Sequence, residues 1–197
     1  MFQNEKEDVR VRYTREWTFE ALHQLLKSKK VSSITISQLI DKAGISRATF
    51  YRHFHSMTDV VEAKILSFFS QLYDDLVSLY SSDMPEDEQY LIRYFFEKIN
   101  QEKEMVDVVL KTKCDYMMVN GILKLITYFK DQFYPIMINN TTAETYTLEI
   151  VASSAWTLLS RWHKRGKQEA PNELATIYSQ TFRQVSMALF ENRHISR

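Results

Sequence analysis

Glycine and proline are scarce in this chain, with three of each among 197 residues. Tight turns and β-hairpins depend on these residues, so their scarcity disfavours a sheet-rich fold. Apolar residues instead recur at helical spacing, separated by short polar segments. We therefore predict an all-α protein in which short loops join long helices.

The chain also lacks paired cysteines and long apolar runs. Its single cysteine, Cys114, excludes an intrachain disulfide and is typical of a reducing compartment. No run of 18 or more apolar residues occurs, and residues 1–8 have no apolar core. Neither a membrane-spanning helix nor a signal peptide is expected. A hydrophobic content of 45% is enough for a buried core, so we expect a soluble, cytoplasmic protein.

The net charge of zero disfavours nucleic-acid binding at first, but the charges are unevenly distributed. Residues 1–57 carry ten Lys and Arg against six Asp and Glu, and the remainder carries fifteen against nineteen. The first part therefore has a charge of about +4 and the rest about −4. Such an asymmetry suits a protein that contacts phosphate groups with one end only.

Helical periodicity predicts nine helices along the chain. Thr35 and Ser46 are suited to cap the second and third, because their hydroxyls can accept a hydrogen bond from a free backbone N–H. Gly44 is suited to end the second helix, since glycine adopts positive φ without strain. In the first helix, Tyr13 and Trp17 are expected to continue the apolar face. The predicted ranges are 10–29, 36–43, 47–54, 58–80, 86–101, 103–111, 113–134, 143–165 and 172–191.

Residues 35–54 are the segment most informative about function, because they predict two short helices joined by a turn at Gly44. No acidic residue occurs between Asp41 and Asp59, although a solvent-facing helix ordinarily carries some. Small, hydroxylic and basic side chains are typical of a helix that enters the DNA major groove. The residues predicted to face inward are Ile36, Leu39, Ile40, Ile45, Phe50 and Phe54. Those predicted to face outward from the second of these helices are Arg47, Ala48, Thr49, Tyr51, Arg52 and His53.

The same segment resembles the DNA-binding domain of the TetR family of bacterial regulators. The resemblance implies a three-helix, N-terminal helix-turn-helix domain over residues 10–72. A long helix would join it to a helical regulatory and dimerisation domain over residues 73–197. The residues that match the family pattern are Thr35, Ile36, Leu39, Ala43, Gly44, Ile45, Ser46, Thr49, Phe50, Tyr51, His53 and Phe54, followed by Ser56 and Asp59.

The resemblance also implies a role for individual side chains at the DNA. Thr35 would face a backbone phosphate, and residues 46–49, which are Ser46, Arg47, Ala48 and Thr49, would enter the major groove. Tyr51 and His53 would reach phosphates or thymine methyl groups near the groove edge. Arg52 is either a further contact or a surface residue.

Three positions depart from the family pattern. Ile40 replaces a small alanine at the helix crossing, and Lys30 replaces a frequent glycine after the first helix. Met57 replaces a lysine that commonly contacts phosphate. Because this lysine is absent, the slope of log DNA affinity against log salt concentration is predicted to be smaller by about one phosphate contact.

The last two helices carry wide apolar stripes, and the family resemblance implies that they pair with their copies in a second subunit. A separate argument also favours a homodimer, because one short recognition helix makes few contacts and a pseudo-palindromic operator provides two half-sites. The arrangement of Trp162, Gly166, Pro171 and residues 172–175 resembles a C-terminal domain frequent in regulators from Gram-positive bacteria. The residues predicted at the dimer interface are Trp156, Leu159, Tyr178, Phe182 and Val185.

The region 86–134 is rich in aromatic residues and methionine, as an apolar effector pocket between helices would require. Simple core packing explains any one of these residues equally well. The candidates for a pocket are Tyr90, Tyr94, Tyr116, Met117 and Tyr128.

No phosphate-binding glycine loop, nucleophile elbow or paired-carboxylate signature occurs, so neither an enzyme nor a cofactor is expected. His23 and His163 show no partner in the sequence, no metal site is expected, and Asp74 and Asp75 are interpreted as solvated. The leading hypothesis is a repressor that a small molecule releases from double-stranded DNA. The alternative is an adaptor or coactivator that acts through another regulator, but Thr49, Tyr51 and His53 are all retained and favour DNA binding.

Overall fold

The computed structural model describes residues 9–82, 89–133 and 141–191, and within these ranges it contains nine α-helices and no strand. The prediction of an all-α fold with an N-terminal helix-turn-helix is confirmed. One 3-10 turn, Val31–Ser33, lies between the first and second helices. The helices are α1 Val9–Ser28, α2 Ile36–Ala43, α3 Arg47–His53, α4 Met57–Ser82, α5 Tyr90–Gln101, α6 Lys103–Thr112, α7 Asp115–Phe133, α8 Thr141–Lys164 and α9 Pro171–Glu191.

The first four helices share one apolar core. α1 packs against α2 and α4, and α3 packs against α2. Because α2 and α3 are only eight and seven residues long, tertiary packing rather than helix propensity stabilises them. The largest fully buried side chains of this core are Leu22, Leu39, Phe50, Phe54 and Val60.

Two of the departures from the family pattern are accommodated without distortion. Ile40 is buried in the common core, so the crossing of α2 and α3 holds the larger side chain. Lys30 has φ −74° and ψ 147°, an extended conformation open to any residue. The turn after α1 therefore does not require glycine.

The helix α4 continues from the helix-turn-helix into the second half of the molecule, where it packs against α6 and α7. In that half α7 packs against α8, and α5 packs against α9. Gly121 on α7 lies directly against the buried ring of Phe69 on α4, so the two helices approach closely there. Of the helices in the described ranges, none has the length and apolar character needed to cross a membrane.

The helix α6 connects the two halves, because it packs against α1, α4, α5 and α8. Lys111 donates from Nζ to the carbonyl oxygen of Leu26 in the last turn of α1, at 3.1 Å. Lys64 of α4 forms an ion pair of 2.8 Å with Glu102, the residue between α5 and α6. Both contacts join the helix-turn-helix unit to the helices that follow it.

Two interpretations from the sequence are wrong in this part of the molecule. Tyr13 and Trp17 do not extend the buried face of α1, since both side chains are largely exposed. Asp75 is not a solvated helix end. It lies within α4 and accepts hydrogen bonds from Gln71, Tyr94 and Lys98.

Candidate nucleic-acid interface

Thr35 begins the helix-turn-helix as the N-cap of α2. Its hydroxyl accepts from the backbone N–H of Gln38, and the Gln38 side chain accepts from the Thr35 N–H, both at 3.2 Å. This reciprocal pair satisfies two of the free N–H groups at the helix start. The exposed Thr35 hydroxyl can still donate one hydrogen bond, as contact with a phosphate oxygen requires.

Gly44 sets the turn between the two helices. Its φ of 67° lies in the left-handed region, and its N–H donates to carbonyl oxygens of the last turn of α2. Ile45 then donates to the carbonyl of Ile40 at 3.3 Å. A side chain at position 44 would be strained by this φ although no neighbouring atom lies within 4 Å. The turn therefore depends on glycine for its conformation and not for space.

Ser46 caps α3 and also orders Thr49. The Ser46 Oγ accepts from the Thr49 N–H at 3.0 Å, and the two hydroxyl oxygens lie 2.8 Å apart. Ser46 and Thr49, two of the four residues predicted to enter the major groove, therefore hold each other in place at the start of the helix. Phe50 and Phe54 anchor the opposite side of α3 in the core, which leaves the remaining side chains facing outward.

Arg47 joins the N-terminal ends of α2 and α3. Its Nη2 donates to the hydroxyl of Ser37 at 2.8 Å, and both side chains are exposed. A guanidinium group has five N–H donors, so this contact positions Arg47 and leaves donors for an external acceptor. Sequence reasoning missed Ser37, because its contact with Arg47 joins residues ten positions apart on two different helices.

The outward surface of α3 is formed by Ala48, Tyr51, Arg52 and the half-buried His53. Tyr51 is 45% exposed, and its ring stands edge-on to the Phe50 ring at a centroid distance of 5.4 Å. This contact with a buried neighbour limits the motion of the tyrosine and presents its hydroxyl end to solvent. The contact between Tyr51 and Phe50 and the two helix caps together order the outward surface of α3, which is basic and free of carboxylates.

The first acidic side chain after α3 lies at the start of α4, and local hydrogen bonds occupy it. Asp59 accepts from the Ser56 hydroxyl at 2.6 Å and from the His55 N–H at 2.7 Å. These bonds, that from Ser56 above all, hold the pKa of Asp59 below its usual value of 3.8. Met57 lies beside them, half buried and packed against the core. The carboxylate of Asp59 is thus used to cap α4.

All eight residues predicted to contact DNA lie between the N-cap of α2 and the end of α3. They occupy the two helix caps and the outward side of α3, and their contact with DNA stays a prediction. Thr35, Ser46 and Thr49 also have structural roles at the helix starts, which the sequence indicated for the two caps. The eight residues are Thr35, Ser46, Arg47, Ala48, Thr49, Tyr51, Arg52 and His53.

The five residues predicted to line an effector pocket fall into separate groups. Tyr94 donates its hydroxyl to Asp75 at 2.9 Å and stacks on Tyr90. Tyr128 packs edge-on against Tyr73, at a centroid distance of 4.7 Å. Since Tyr73 and Asp75 are two positions apart on α4, they lie on different sides of that helix.

The other two pocket candidates differ in their exposure. Tyr116 is largely exposed, whereas Met117 is half buried and packs against the core. Tyr116 and Tyr128 therefore lie at the surface, and only Tyr90, Tyr94 and Met117 keep the partial burial that a pocket wall requires.

The residues predicted at the dimer interface point mainly into the chain itself. Trp156 and Leu159 are buried, and the Trp156 indole N–H donates to Asp115 at 2.9 Å. The Tyr178 hydroxyl lies 2.9 Å from the carbonyl of Val151, to which it donates. These three side chains join α8 and α9 to their neighbours. The side chains of Phe182 and Val185 lie outside the described part of the structure.

Exposed apolar side chains do occur on the same two helices. They are Tyr146 and Ile150 on α8 and Ile177 on α9. The apolar stripes seen in the sequence therefore contain both core residues and surface residues, which periodicity alone does not separate.

Two polar contacts between distant residues were also missed from the sequence. His163, which showed no partner there, lies 2.6 Å through Nε2 from an Asp107 carboxylate oxygen and joins α8 to α6. The second contact joins Asp75 on α4 to Tyr94 and Lys98 on α5. Burial raises the pKa of Asp75, but hydrogen bonds from Lys98, Gln71 and Tyr94 outweigh this and hold the pKa below its usual value. Both contacts stabilise helix packing and neither lies near α3.

Comparison with known proteins supports the assignment of the N-terminal unit. The profile of bacterial regulatory proteins of the tetR family matches residues 19–63, which contain α2, α3 and the turn between them. No curated protein matches the sequence.

Solved structures share the fold over most of the chain. Lin0861 from Listeria innocua is similar with a TM-score of 0.76 at 18% identity, over 93% of this chain and 96% of that one. A TetR-family transcriptional regulator from Syntrophomonas wolfei has a TM-score of 0.66 at 13% identity, with 89% and 96% covered. The fatty acid degradation regulator FadR from Bacillus halodurans has a TM-score of 0.58 at 14% identity, with 84% and 95% covered.

The family profile covers the segment whose caps, turn and outward surface form the candidate interface, and the structural similarity extends over both halves of the chain. Residues 19–63 therefore match the tetR family of bacterial regulatory proteins, and the fold of the chain is similar to that of solved structures that include a TetR-family transcriptional regulator.

Proposed function

We propose that this protein is a homodimeric repressor that binds a pseudo-palindromic DNA operator and is released from it by a small molecule. Residues 10–72 form the DNA-binding domain in this proposal, and residues 73–197 form the regulatory and dimerisation domain. The observation that carries the proposal is the outward surface of α3, which is capped, anchored by Phe50 and Phe54, and free of carboxylates.

The side chains of this surface suit two kinds of DNA contact. Thr35, Arg52 and His53 have donors for phosphate oxygens, which position the protein on the duplex. Ala48 is small enough to permit close approach, and Arg47 can donate two hydrogen bonds to guanine in the major groove. Tyr51 stands between these groups, so its removal is the most informative single change.

A second subunit is required because one helix of seven residues reads few base pairs. We assign the subunit contact to exposed apolar residues of the last two helices, namely Tyr146, Ile150 and Ile177. They replace Trp156, Leu159 and Tyr178 in this role because those side chains are engaged within the chain. Phe182 and Val185 are kept in the proposed interface as α9 continues.

Release by a ligand requires only that the ligand bind the form with low DNA affinity more tightly. In this proposal the ligand contacts the predicted pocket residues that are half buried, Tyr94 on α5 and Met117 on α7. Tyr90, which stacks on Tyr94, completes this smaller set. Tyr116 and Tyr128 are not part of it, because both are largely exposed.

Selection of bound duplexes from random DNA tests the proposal directly. The parent protein should enrich a two-fold symmetric sequence, and a reporter gene behind that sequence should be expressed less when the protein is present. Failure to enrich any sequence would overturn the DNA-binding function and favour an adaptor that acts through another regulator. Raised reporter expression would overturn the repressor assignment alone.

Tyr51→Ala tests the reading surface itself. We expect a loss of affinity for the selected operator of roughly tenfold, since one groove contact is removed. Tyr51→Phe is the matched control for the ring, because it keeps the contact with Phe50 and removes only the hydroxyl. Fluorescence anisotropy measures the affinity, and unchanged thermal unfolding shows that the fold is retained. Parent-like binding by Tyr51→Ala would place the reading surface elsewhere.

A further inference from the structure

One hydrogen bond links the exposed starts of α2 and α3. Arg47, the first residue of α3, donates from Nη2 to the hydroxyl of Ser37, the second residue of α2, at 2.8 Å. The two residues are ten positions apart, on opposite sides of the turn at Gly44. Among the residues that the structure describes, no carboxylate forms an ion pair with Arg47, so the Ser37 hydroxyl is the group that orients its guanidinium.

Ser37 lies in a part of α2 that is itself fixed. The capping box formed by Thr35 and Gln38 closes the first turn of the helix around it. Leu39, two positions after Ser37, is fully buried and holds this turn against the core. The hydroxyl therefore has a defined position relative to α3, although Ser37 is exposed. A long side chain that is held before it binds loses less conformational freedom on binding.

The contact leaves Arg47 able to bind a second group with two parallel hydrogen bonds. A guanidinium presents two pairs of N–H groups for such binding, one formed by Nε and Nη2 and the other by Nη1 and Nη2. Each of the two hydrogens on Nη2 belongs to one of these pairs. The bond to Ser37 uses one hydrogen, so one complete pair remains for an external acceptor. In the major groove, guanine is the base that offers two adjacent acceptors, O6 and N7, to such a pair.

The other arginine of α3 differs from Arg47 in this respect. Arg52 is exposed near the end of α3, and the described part of the structure gives its side chain no hydrogen bond or ion pair. A side chain without a fixed direction suits a phosphate oxygen better than a base edge, since a phosphate accepts hydrogen bonds from many directions. The N-terminal residues of a recognition helix are also the ones that contact base edges. Arg47 is therefore the arginine suited to reading a base.

We infer that Ser37 is a positioning residue that sets sequence specificity through Arg47, and that each operator half-site contains a guanine which Arg47 reads. This role rests on the proposed function and deepens it, because it gives α2 a share in base recognition without a contact between Ser37 and a base. Loss of the Ser37 hydroxyl then affects one base pair in each half-site. A direct contact of the same hydroxyl with a phosphate would instead affect every sequence equally.

An analogue of guanine that lacks the N7 acceptor, 7-deazaguanine, tests this role in the full-length protein. Each guanine of the selected operator is replaced in turn in both half-sites, and fluorescence anisotropy measures the affinity. For the parent, replacement at the position that Arg47 reads should lower the affinity roughly tenfold. Arg47→Ala should remove the effect of the analogue at that position and leave its effect at other positions unchanged, which identifies the base pair.

Variants of Ser37 then test the positioning itself. Ser37→Ala should reduce the discrimination against 7-deazaguanine at the same base pair by roughly fivefold, the effect of losing one hydrogen bond that orders the arginine. Discrimination at other positions and the salt dependence of affinity should stay as in the parent. Ser37→Thr keeps the hydroxyl and should restore discrimination. The matched control is Ser33→Ala, because the exposed Ser33 hydroxyl donates to the carbonyl of Lys30 instead.

A double variant separates action through Arg47 from independent action. Because Ser37 acts only through the arginine, Ser37→Ala combined with Arg47→Ala should bind every duplex like Arg47→Ala alone. A further loss in the double variant, or a uniform loss on all duplexes in Ser37→Ala, would overturn the positioning role and identify a direct phosphate contact. Unchanged thermal unfolding shows that each variant keeps the fold.

The remaining outcomes separate this role from the function on which it rests. Parent-like discrimination by Ser37→Ala would overturn the positioning role while operator binding stands. Equal loss of affinity on all duplexes in Arg47→Ala would place Arg47 on a phosphate and overturn the guanine assignment. If random DNA yields no enriched sequence, the proposed function fails and the role of Ser37 fails with it.

Discussion

Gly121 shows how one small residue sets the distance between two helices. An added Cβ would overlap the ring of Phe69, which is fully buried in α4. Alanine ordinarily stabilises a helix interior by about 1 kcal/mol relative to glycine. At this position the steric overlap opposes that gain, so the net effect of substitution reports on the helix contact.

We predict that Gly121→Ala lowers the free energy of unfolding by about 1–3 kcal/mol, as overpacking of a core does. Urea unfolding followed by circular dichroism measures the change. A second variant, Phe69→Leu in the Gly121→Ala background, should recover part of the loss because it removes the ring that is overlapped. An increase in stability for Gly121→Ala alone would contradict the close approach of α4 and α7.

Asp75 is the centre of a polar contact between α4 and α5. Its carboxylate accepts from Lys98 at 2.8 Å and from Tyr94 at 2.9 Å. The pKa of Asp75 is lowered in the folded protein, so its contribution to stability is present above the ordinary value near 3.8. That contribution is lost as the pH falls through the lower folded value. The hydrogen bond to Asp75 raises the pKa of Lys98, whose contribution is lost only at strongly alkaline pH.

Asp75→Asn should therefore lower the free energy of unfolding by about 1–2 kcal/mol at pH 7. The difference from the parent should shrink as the pH falls below about 4, where the parent's own carboxylate becomes protonated. Urea unfolding at a series of pH values measures this. Asp74→Asn, at the exposed neighbouring position, is the control. A difference between Asp75→Asn and the parent that is constant down to pH 2 would contradict a role for the charge.

Individual residues differ in how far their roles could be predicted. Gly44, Ser46 and Thr35 act within four positions of their own place in the chain, so spacing was enough to predict a turn and two caps. Asp75 and His163 act on partners 19 to 56 positions away. Periodicity contains no information on such pairs, because they depend on which helices come to lie side by side.

At the scale of elements, α6 ends in an unusual way. Lys113 follows its last residue with φ 59°, in the left-handed region where glycine is usual. A residue with a Cβ is destabilised in this conformation by about 1–2 kcal/mol. The short link to α7, which begins at Asp115, is therefore closed at some cost in backbone strain.

Lys113→Gly should raise the free energy of unfolding by up to about 1 kcal/mol, since relief of strain exceeds the added freedom of the unfolded chain. Thermal unfolding detects this as an increase in Tm. Lys124→Gly, within α7, should have the opposite effect because glycine weakens a helix interior. A lower Tm for Lys113→Gly would contradict the strain.

Helices were easier to predict from the sequence than the surfaces that they bury. The ranges of α2, α3, α6 and α9 agree closely with the predicted ones, because caps and apolar spacing are local. On α1 the aromatic residues continue the apolar spacing but lie beyond the reach of the core. On α8 the stripe contains Trp156, which packs inside, and Ile150, which does not. Which apolar residue is covered depends on the neighbouring helices.

At the scale of the whole molecule, the exposed residues of α8 test the proposed dimer. Ile150→Glu should give a monomer, because it places a charge in an apolar contact that is duplicated by symmetry. Sedimentation equilibrium at micromolar concentration measures the molecular mass. Affinity for the symmetric operator should fall at least tenfold in the same variant, since only one half-site is then held.

Lys124→Glu is the control for this experiment, since it reverses a charge at an exposed position on another helix. A dimer that survives Ile150→Glu with parent-like affinity would move the subunit contact away from this part of α8. A monomeric parent would exclude the dimer itself.

The length of α4 has a geometric consequence for the release of DNA that we propose. Its 26 residues span about 39 Å, so the helix is a lever arm with α3 close to one end. A tilt of about 5° about the far end displaces the near end by roughly 3 Å. One base pair rises by about 3.4 Å, so such a tilt in each subunit shifts the two reading helices by about a base pair relative to the operator. In the proposed function, a ligand therefore needs to rotate α4 by only a few degrees, without unfolding any helix, to put both half-sites out of register.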